Sequence, residues 1–154
     1  KEEIKREHKE TEGDPQLKAK IRSQQQAMAR NRMMSQVPDA DVIVTNPTHY
    51  AVALRYDESQ MSAPRVIAKG ADEVAARIRE LGGEHHVPLL EAPPLARALY
   101  RHVDIDREIP GPLYTAVAEV LVWAFRLKRA RQEGGDRPVT PADLPIPAEL
   151  EVAP

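Results

Sequence analysis

The tetrapeptide Asn46-Pro47-Thr48-His49 combines an amide, a proline, a hydroxyl and an imidazole. An asparagine usually reacts when the backbone nitrogen of the next residue attacks its side-chain carbonyl, but proline has no N–H and closes this route. The remaining route is attack by the amide nitrogen of Asn46 on its own main-chain carbonyl. That attack closes an imide ring and breaks the 46–47 peptide bond, so the tetrapeptide is a candidate for self-cleavage.

A side-chain amide is a weak nucleophile, and this reaction therefore needs help from its surroundings. The turn must hold the amide close to the carbonyl, donors must stabilise the oxyanion, and a general acid–base must move protons. Histidine suits proton transfer near neutral pH, and Thr48 offers a hydroxyl and a backbone N–H. The same four residues also suit an inert turn, because asparagine and proline favour turns.

Composition narrows the chemistry that is open to the chain. It has 154 residues, a formal net charge of −2 and no cysteine, which excludes disulfides, a cysteine nucleophile and cysteine-based zinc sites. Its longest apolar run, residues 120–125, is far shorter than the roughly 20 residues that cross a bilayer. The near-neutral charge argues against a nucleic-acid-binding domain. No cofactor or metal site is predicted, since the adjacent His85 and His86 fit surface histidines better than metal ligands.

The tetrapeptide lies between two predicted strands. Residues 42–45 are mostly β-branched, and residues 50–56 alternate large and small side chains. A third strand is predicted at residues 65–69, broken by Gly70, and a fourth at residues 87–90.

Three helices complete the predicted core. Residues 71–81 have apolar side chains at helical spacing and end at Gly82-Gly83, residues 95–100 follow Pro93-Pro94, and residues 113–127 are apolar on most faces. The order β-β-β-α-β-α-α predicts an α/β fold with a small mixed four-stranded sheet surrounded by helices.

Charge and proline content divide the chain into three parts. Residues 1–36 are predicted to be a linker helix that starts at Asp14-Pro15 and is rich in basic residues. Both a solvated connecting helix and an arm against anionic lipid fit this pattern. Residues 37–129 are predicted to be the compact domain. Residues 130–154 are acidic and rich in proline, which predicts a flexible tail.

Several segments together resemble one known family. Residues 42–54 (VIVTNPTHYAVAL) carry the main similarity, and further similar segments lie at residues 12–15, 32–34, 62–70 and 91–100. They resemble the type III export switch proteins, which comprise the FlhB family of flagella and YscU-like relatives in virulence injectisomes. The resemblance covers roughly residues 12–129, and the flagellar branch is the more similar.

That resemblance implies a function and a location. Asn46 would be the cyclising residue and Pro47 the new N-terminus, with Thr48 and His49 completing the motif. The chain would be the cytoplasmic domain of an export-gate protein of the bacterial inner membrane, with membrane spans before Lys1. It would cleave itself once, rather than act as a turnover enzyme, and would help to switch export from rod and hook proteins to filament-type proteins.

The resemblance also implies partners and a binding surface. The expected partners are the export substrates, a hook-length ruler protein, the other membrane components of the export gate and the export ATPase complex. An apolar substrate-binding surface is expected at Ala63, Pro64, Ala118 and Leu121. The last two share a helix face by their i, i+3 spacing, although ordinary core positions would explain them equally.

Three other interpretations of the chain remain. It could be an α/β binding module with an inert turn, or the equivalent switch protein of a virulence injectisome. It could also be a hydrolase that uses His49 with acidic partners, although no spacing motif supports this.

Overall fold

The computed structural model of the chain describes residues 14–47 and 49–154, so Thr48 and the first part of the predicted linker lie outside the described residues. The chain divides into two units between Met34 and Ser35. The first unit contains most of helix α1 (Pro15–Gln36). A side-chain oxygen of Asp14 accepts a hydrogen bond from the N–H of Gln16 at 2.9 Å, which confirms the predicted helix start.

The second unit is built on one mixed sheet. Its strands are β1 (Val42–Asn46), β2 (Tyr50–Arg55), β3 (Arg65–Ala71), β4 (Leu89–Glu91) and β5 (Arg107–Glu108), in the order β4-β1-β2-β3-β5. β1 lies inside the sheet, where it pairs antiparallel with β2 and parallel with β4.

Three helices cover the two faces of this sheet, namely α2 (Asp72–Glu84), α3 (Pro93–His102) and α4 (Tyr114–Glu133). The alternation along β1 assigns its side chains to the faces. Val42 and Val44 are fully buried in a core that α3 and α4 share, whereas Ile43 lies on the other face, next to Gly82 of α2. Among the described helices, none is long and apolar enough to cross a membrane.

The mixed α/β class is as predicted, but three details of the sequence interpretation are wrong. The sheet has five strands rather than four, because the short edge strand β5 pairs with the start of β3. β3 continues through Gly70, where a side chain would collide with Val74, so the glycine permits close packing rather than ending the strand. α2 likewise continues through Gly82-Gly83 to Glu84, and His86 instead adopts the left-handed conformation, with φ of 59°.

The segment after α4 lies extended and contacts the domain. Apart from one short turn at Ala148–Leu150, it has no regular structure. The side chain of Arg97 donates a hydrogen bond to the carbonyl of Val152 at 2.9 Å. Leu144 and Ile146 pack against the main core. The predicted flexibility of this segment concerns motion and stays a prediction.

Removing two of the three apolar side chains by which the C-terminal segment packs on the core should loosen it. In an Asn46→Ala background that keeps the chain in one piece, we expect Leu144→Ser with Ile146→Ser to lower the unfolding free energy by about 2 kcal/mol, since two partly buried side chains lose their apolar contacts. Urea unfolding measures the change. Val139→Ser is the matched control, because Val139 is 92 % exposed. Equal stability of both variants would show that the segment does not dock.

Candidate functional site

Asn46, Pro47 and His49 belong to the β-turn that joins β1 to β2. Asn46 ends β1 and pairs with Tyr50, the first residue of β2. The backbone N–H of His49 donates a hydrogen bond of 3.0 Å to the main-chain carbonyl of Asn46. Asn46 and Pro47 thus occupy the first two positions of the turn, where asparagine and proline are favoured. Pro47 and His49 are both exposed, and Thr48 lies outside the described residues.

The end of β1 is fixed from the side of β4. Thr45 is the last β1 residue that pairs with β4, and its buried hydroxyl lies 3.4 Å from the carbonyl of Leu90. The carbonyl of Thr45 accepts a hydrogen bond from the N–H of Ala92, at the start of α3, at 2.9 Å. Asn46 follows directly and is half-buried.

The other side of the turn is held by the start of α2. The carbonyl of His49 accepts a hydrogen bond of 2.9 Å from the N–H of Asp72. Asp72 has φ of 50°, a left-handed conformation that aspartate adopts more readily than most residues. The backbone of His49 is therefore bonded through both its N–H and its carbonyl, although its ring is exposed.

A group of side chains that the sequence did not single out lies beside the turn. The rings of Tyr50 and Tyr100 stack with their centroids 4.3 Å apart and their planes 25° apart. The ring of His49 lies 6.4 Å from that of Tyr50. The ammonium group of Lys69 lies 5.3 Å from the centroid of the Tyr100 ring. Tyr50, Lys69 and Tyr100 are distant from one another in the chain, so spacing alone carries no signal that they meet.

The four residues predicted to bind export substrates meet at a second place, a cavity of about 410 Å³. Ala63 and Leu121 are almost fully buried there, whereas Ala118 is exposed. Large apolar side chains of α4 that are nearly half exposed surround them and were not predicted; these are Tyr114, Val122 and Phe125. A cluster of exposed apolar side chains of this kind is typical of a binding surface.

A half-buried carboxylate supports the rim of this cavity. A carboxylate oxygen of Asp41 accepts a hydrogen bond of 2.7 Å from the N–H of Tyr56, a residue that lines the cavity. Burial raises the pKa of Asp41 above its ordinary value, and this effect outweighs the opposing hydrogen bond from Tyr56 and the attraction of Lys128 and Arg55. Asp41 therefore tethers Tyr56 at an electrostatic cost.

Comparison with known proteins places the chain in one family. Residues 1–124 match the FlhB HrpN YscU SpaS family, so the chain belongs to that family. It is 63 % identical over 151 residues to the flagellar biosynthetic protein FlhB of Salmonella typhimurium, a match that covers 98 % of this chain. The chain spans only 39 % of that relative's length.

Solved structures show the same fold. The cytoplasmic domain of FlhB from Shewanella putrefaciens is 48 % identical, with a TM-score of 0.75, and the match covers 80 % of this chain and 95 % of that one. A variant of the EscU C-terminal domain with an asparagine changed to aspartate is 32 % identical, with a TM-score of 0.58. That match covers 60 % of this chain and 98 % of the EscU chain.

The raised pKa of Asp41 predicts that the difference in unfolding free energy between the wild-type residue and Asp41→Asn depends on pH. Both are compared in the Asn46→Ala background. The wild-type carboxyl stabilises the fold most when it is neutral, below its ordinary pKa of 3.8. This advantage is lost as the pH rises through the higher pKa of the folded state. We therefore expect wild type to lose stability relative to Asp41→Asn between pH 3.5 and pH 7, as measured by urea unfolding. A difference that is constant with pH would contradict this.

Proposed function

We propose that this chain is a domain of a flagellar type III export-gate component, lying at the cytoplasmic face of the bacterial inner membrane. Its family membership and the flagellar names of its relatives support this, and they favour a flagellar over an injectisome role. In this proposal the domain cuts itself between Asn46 and Pro47. The cut takes part in switching export from rod and hook proteins to filament-type proteins, together with a hook-length ruler, the other gate components and the export ATPase complex.

The observation that carries the self-cleavage proposal is the hydrogen bond on the carbonyl that would be attacked. The backbone N–H of His49 points at the main-chain oxygen of Asn46 from 3.0 Å. Negative charge develops on this oxygen when a nucleophile adds to the carbonyl. A fixed donor at this position would lower the barrier, as donors in an oxyanion hole do. The turn that holds the scissile bond therefore also supplies a stabilising group.

The proposed step is an intramolecular substitution. The side-chain nitrogen of Asn46 forms a bond to the main-chain carbonyl carbon of the same residue and loses a proton, giving a tetrahedral intermediate. The bond from that carbon to the nitrogen of Pro47 then breaks as this nitrogen takes up a proton. The products are a C-terminal succinimide at residue 46 and a new N-terminus at Pro47, and water later opens the succinimide.

His49 is proposed to assist the proton transfers, with Thr48 completing the motif. The exposed ring of His49 follows the scissile bond in the same turn. General acid–base help of this kind is typically worth about 10²–10⁴-fold in rate. Each molecule reacts once, so the chain is a self-processing domain rather than a turnover catalyst.

Cleavage can be tested directly on the purified chain. We expect a denaturing gel and intact-mass measurement to show fragments 1–46 and 47–154, and Asn46→Ala to abolish them without unfolding the domain. The matched control is Asn31→Ala, because Asn31 is an exposed asparagine of α1 and is not followed by proline. A wild-type chain that stays whole after prolonged incubation at neutral pH would overturn the proposal.

We also propose that the apolar cavity binds a segment of the export substrates. The four predicted residues line it together with half-exposed side chains of α4. An extended substrate segment with a few apolar side chains would bury these groups. Such burial contributes about 25 cal/mol per Å² of apolar surface.

A single charge placed in the cavity should weaken this binding. We expect Ala118→Glu to weaken the binding of a purified hook-type export substrate about 10-fold or more, because binding would bury the carboxylate without a partner. Gln132→Glu is the matched control, since Gln132 is an exposed residue of the same helix and does not line the cavity. Calorimetric titration measures both affinities, and equal affinities would place the binding surface elsewhere.

A further inference from the structure

We infer that Tyr100, held by Lys69, is a positioning residue for the turn that contains the scissile bond. This inference rests on the proposed self-cleavage. Tyr100 belongs to α3, far from the turn in the chain, but its ring stacks on that of Tyr50 at 4.3 Å. Tyr50 follows His49 directly and pairs with Asn46. The stack therefore connects the turn to a helix.

Backbone hydrogen bonds hold the turn on both sides, and the stack adds a restraint through side chains. Pro47 and His49 are exposed, and the loop's described contacts with other elements are backbone bonds. Reaction requires the amide of Asn46 to approach the carbonyl in one narrow geometry. A stacked pair of rings limits the motion of Tyr50 and thereby of the residue pair Asn46–Tyr50 that closes the hairpin.

Lys69 fixes the ring on which the turn depends. Its ammonium group donates hydrogen bonds of 2.9 Å to the carbonyls of Tyr100 and Val103, at the C-terminal end of α3. This position favours a cation, because the last carbonyls of a helix carry partial negative charge. The same ammonium lies 5.3 Å from the centroid of the Tyr100 ring, within range of a cation–π contact. Lys69 lies on β3 and so connects the helix end to the sheet.

Lys69 therefore fixes the position of Tyr100, and Tyr100 restrains the turn through its stack on Tyr50. Neither side chain is assigned a step in bond breaking. The expected signature is a slower reaction that depends on the ring and not on the tyrosine hydroxyl.

The test follows the appearance of fragments 1–46 and 47–154 after pulse-labelled cell-free synthesis of the whole chain. We expect Tyr100→Leu to slow cleavage about 3- to 10-fold, as expected for loss of an aromatic stack. Tyr100→Phe, which keeps the ring, should cleave at the wild-type rate. Lys69→Met should slow cleavage about 2- to 5-fold, and Lys69→Arg should restore most of the rate.

A control separates positioning from general stability. Leu127→Ala removes a buried side chain of α4. The next residue, Lys128, lies close enough to attract Asp41, which is at the opposite end of β1 from Asn46. Leu127 is therefore distant from the turn. The substitution should lower the unfolding temperature and leave the cleavage rate unchanged. If Leu127→Ala slows cleavage as much as Tyr100→Leu does, the effect is loss of stability and the inference is wrong.

A second measurement does not depend on cleavage. In the Asn46→Ala background, Tyr100→Leu should speed exchange of the His49 amide proton with water, measured by NMR, by a similar 3- to 10-fold. A wild-type chain that never cleaves overturns the proposed function, and this exchange rate still decides whether Tyr100 holds the turn. If the wild-type chain cleaves, Tyr100→Leu cleaves equally fast and the exchange rate of the His49 amide is unchanged, then only the positioning role of Tyr100 is overturned.

Discussion

The hydrogen bond from the N–H of His49 to the carbonyl of Asn46 closes the β1–β2 hairpin, and the packing of the domain depends on the register that it sets. Side chains alternate between the faces of a strand, so a slip by one residue would reverse every side chain of β1. Val42 and Val44 would leave the core shared with α3 and α4, and Ile43 would leave its place beside α2. The turn that carries the proposed cleavage site is thus also the element that aligns the sheet.

Much of this arrangement could be predicted from local sequence. The β-branched residues before Asn46 and the alternation after His49 indicated two strands, and Asn46-Pro47 indicated the turn between them. The start of α1 followed from Asp14 and Pro15. In each case the interactions that decide the structure join residues near one another in the chain, so a local sequence pattern is enough to predict them.

Features that depend on distant segments could not be predicted in this way. β5 consists of two exposed charged residues and is a strand only because it pairs with β3. Gly70 and Gly82 indicated breaks, yet both lie inside elements because neighbouring side chains occupy the space beside them. The stack of Tyr50 on Tyr100 forms only when α3 folds back over the sheet. The four residues of the proposed binding cavity were named from family resemblance, and the structure was needed to show that they meet.

The proposed cleavage site and the proposed binding cavity lie at opposite ends of β2. The strand starts at Tyr50 beside the turn, and Tyr56, just beyond its other end, lines the cavity. At about 3.4 Å per residue, the two regions are roughly 20 Å apart. A cut at Asn46 would therefore not reshape the cavity by direct contact. Any influence of one on the other has to pass through the sheet or through partners that touch both regions.

Because β1 lies inside the sheet, the two pieces of a cleaved chain would stay associated. The pairing of β1 with β2 and β4 does not involve the 46–47 bond, so both ladders would survive the proposed cut. The pieces would form a tightly held heterodimer in which the shorter piece supplies an internal strand. Separating them requires opening both ladders and exposing Val42 and Val44, which amounts to unfolding the domain. The unfolding rate of the domain would then set the lifetime of the cut form. Its kinetic stability would determine how long the two pieces stay together after cleavage.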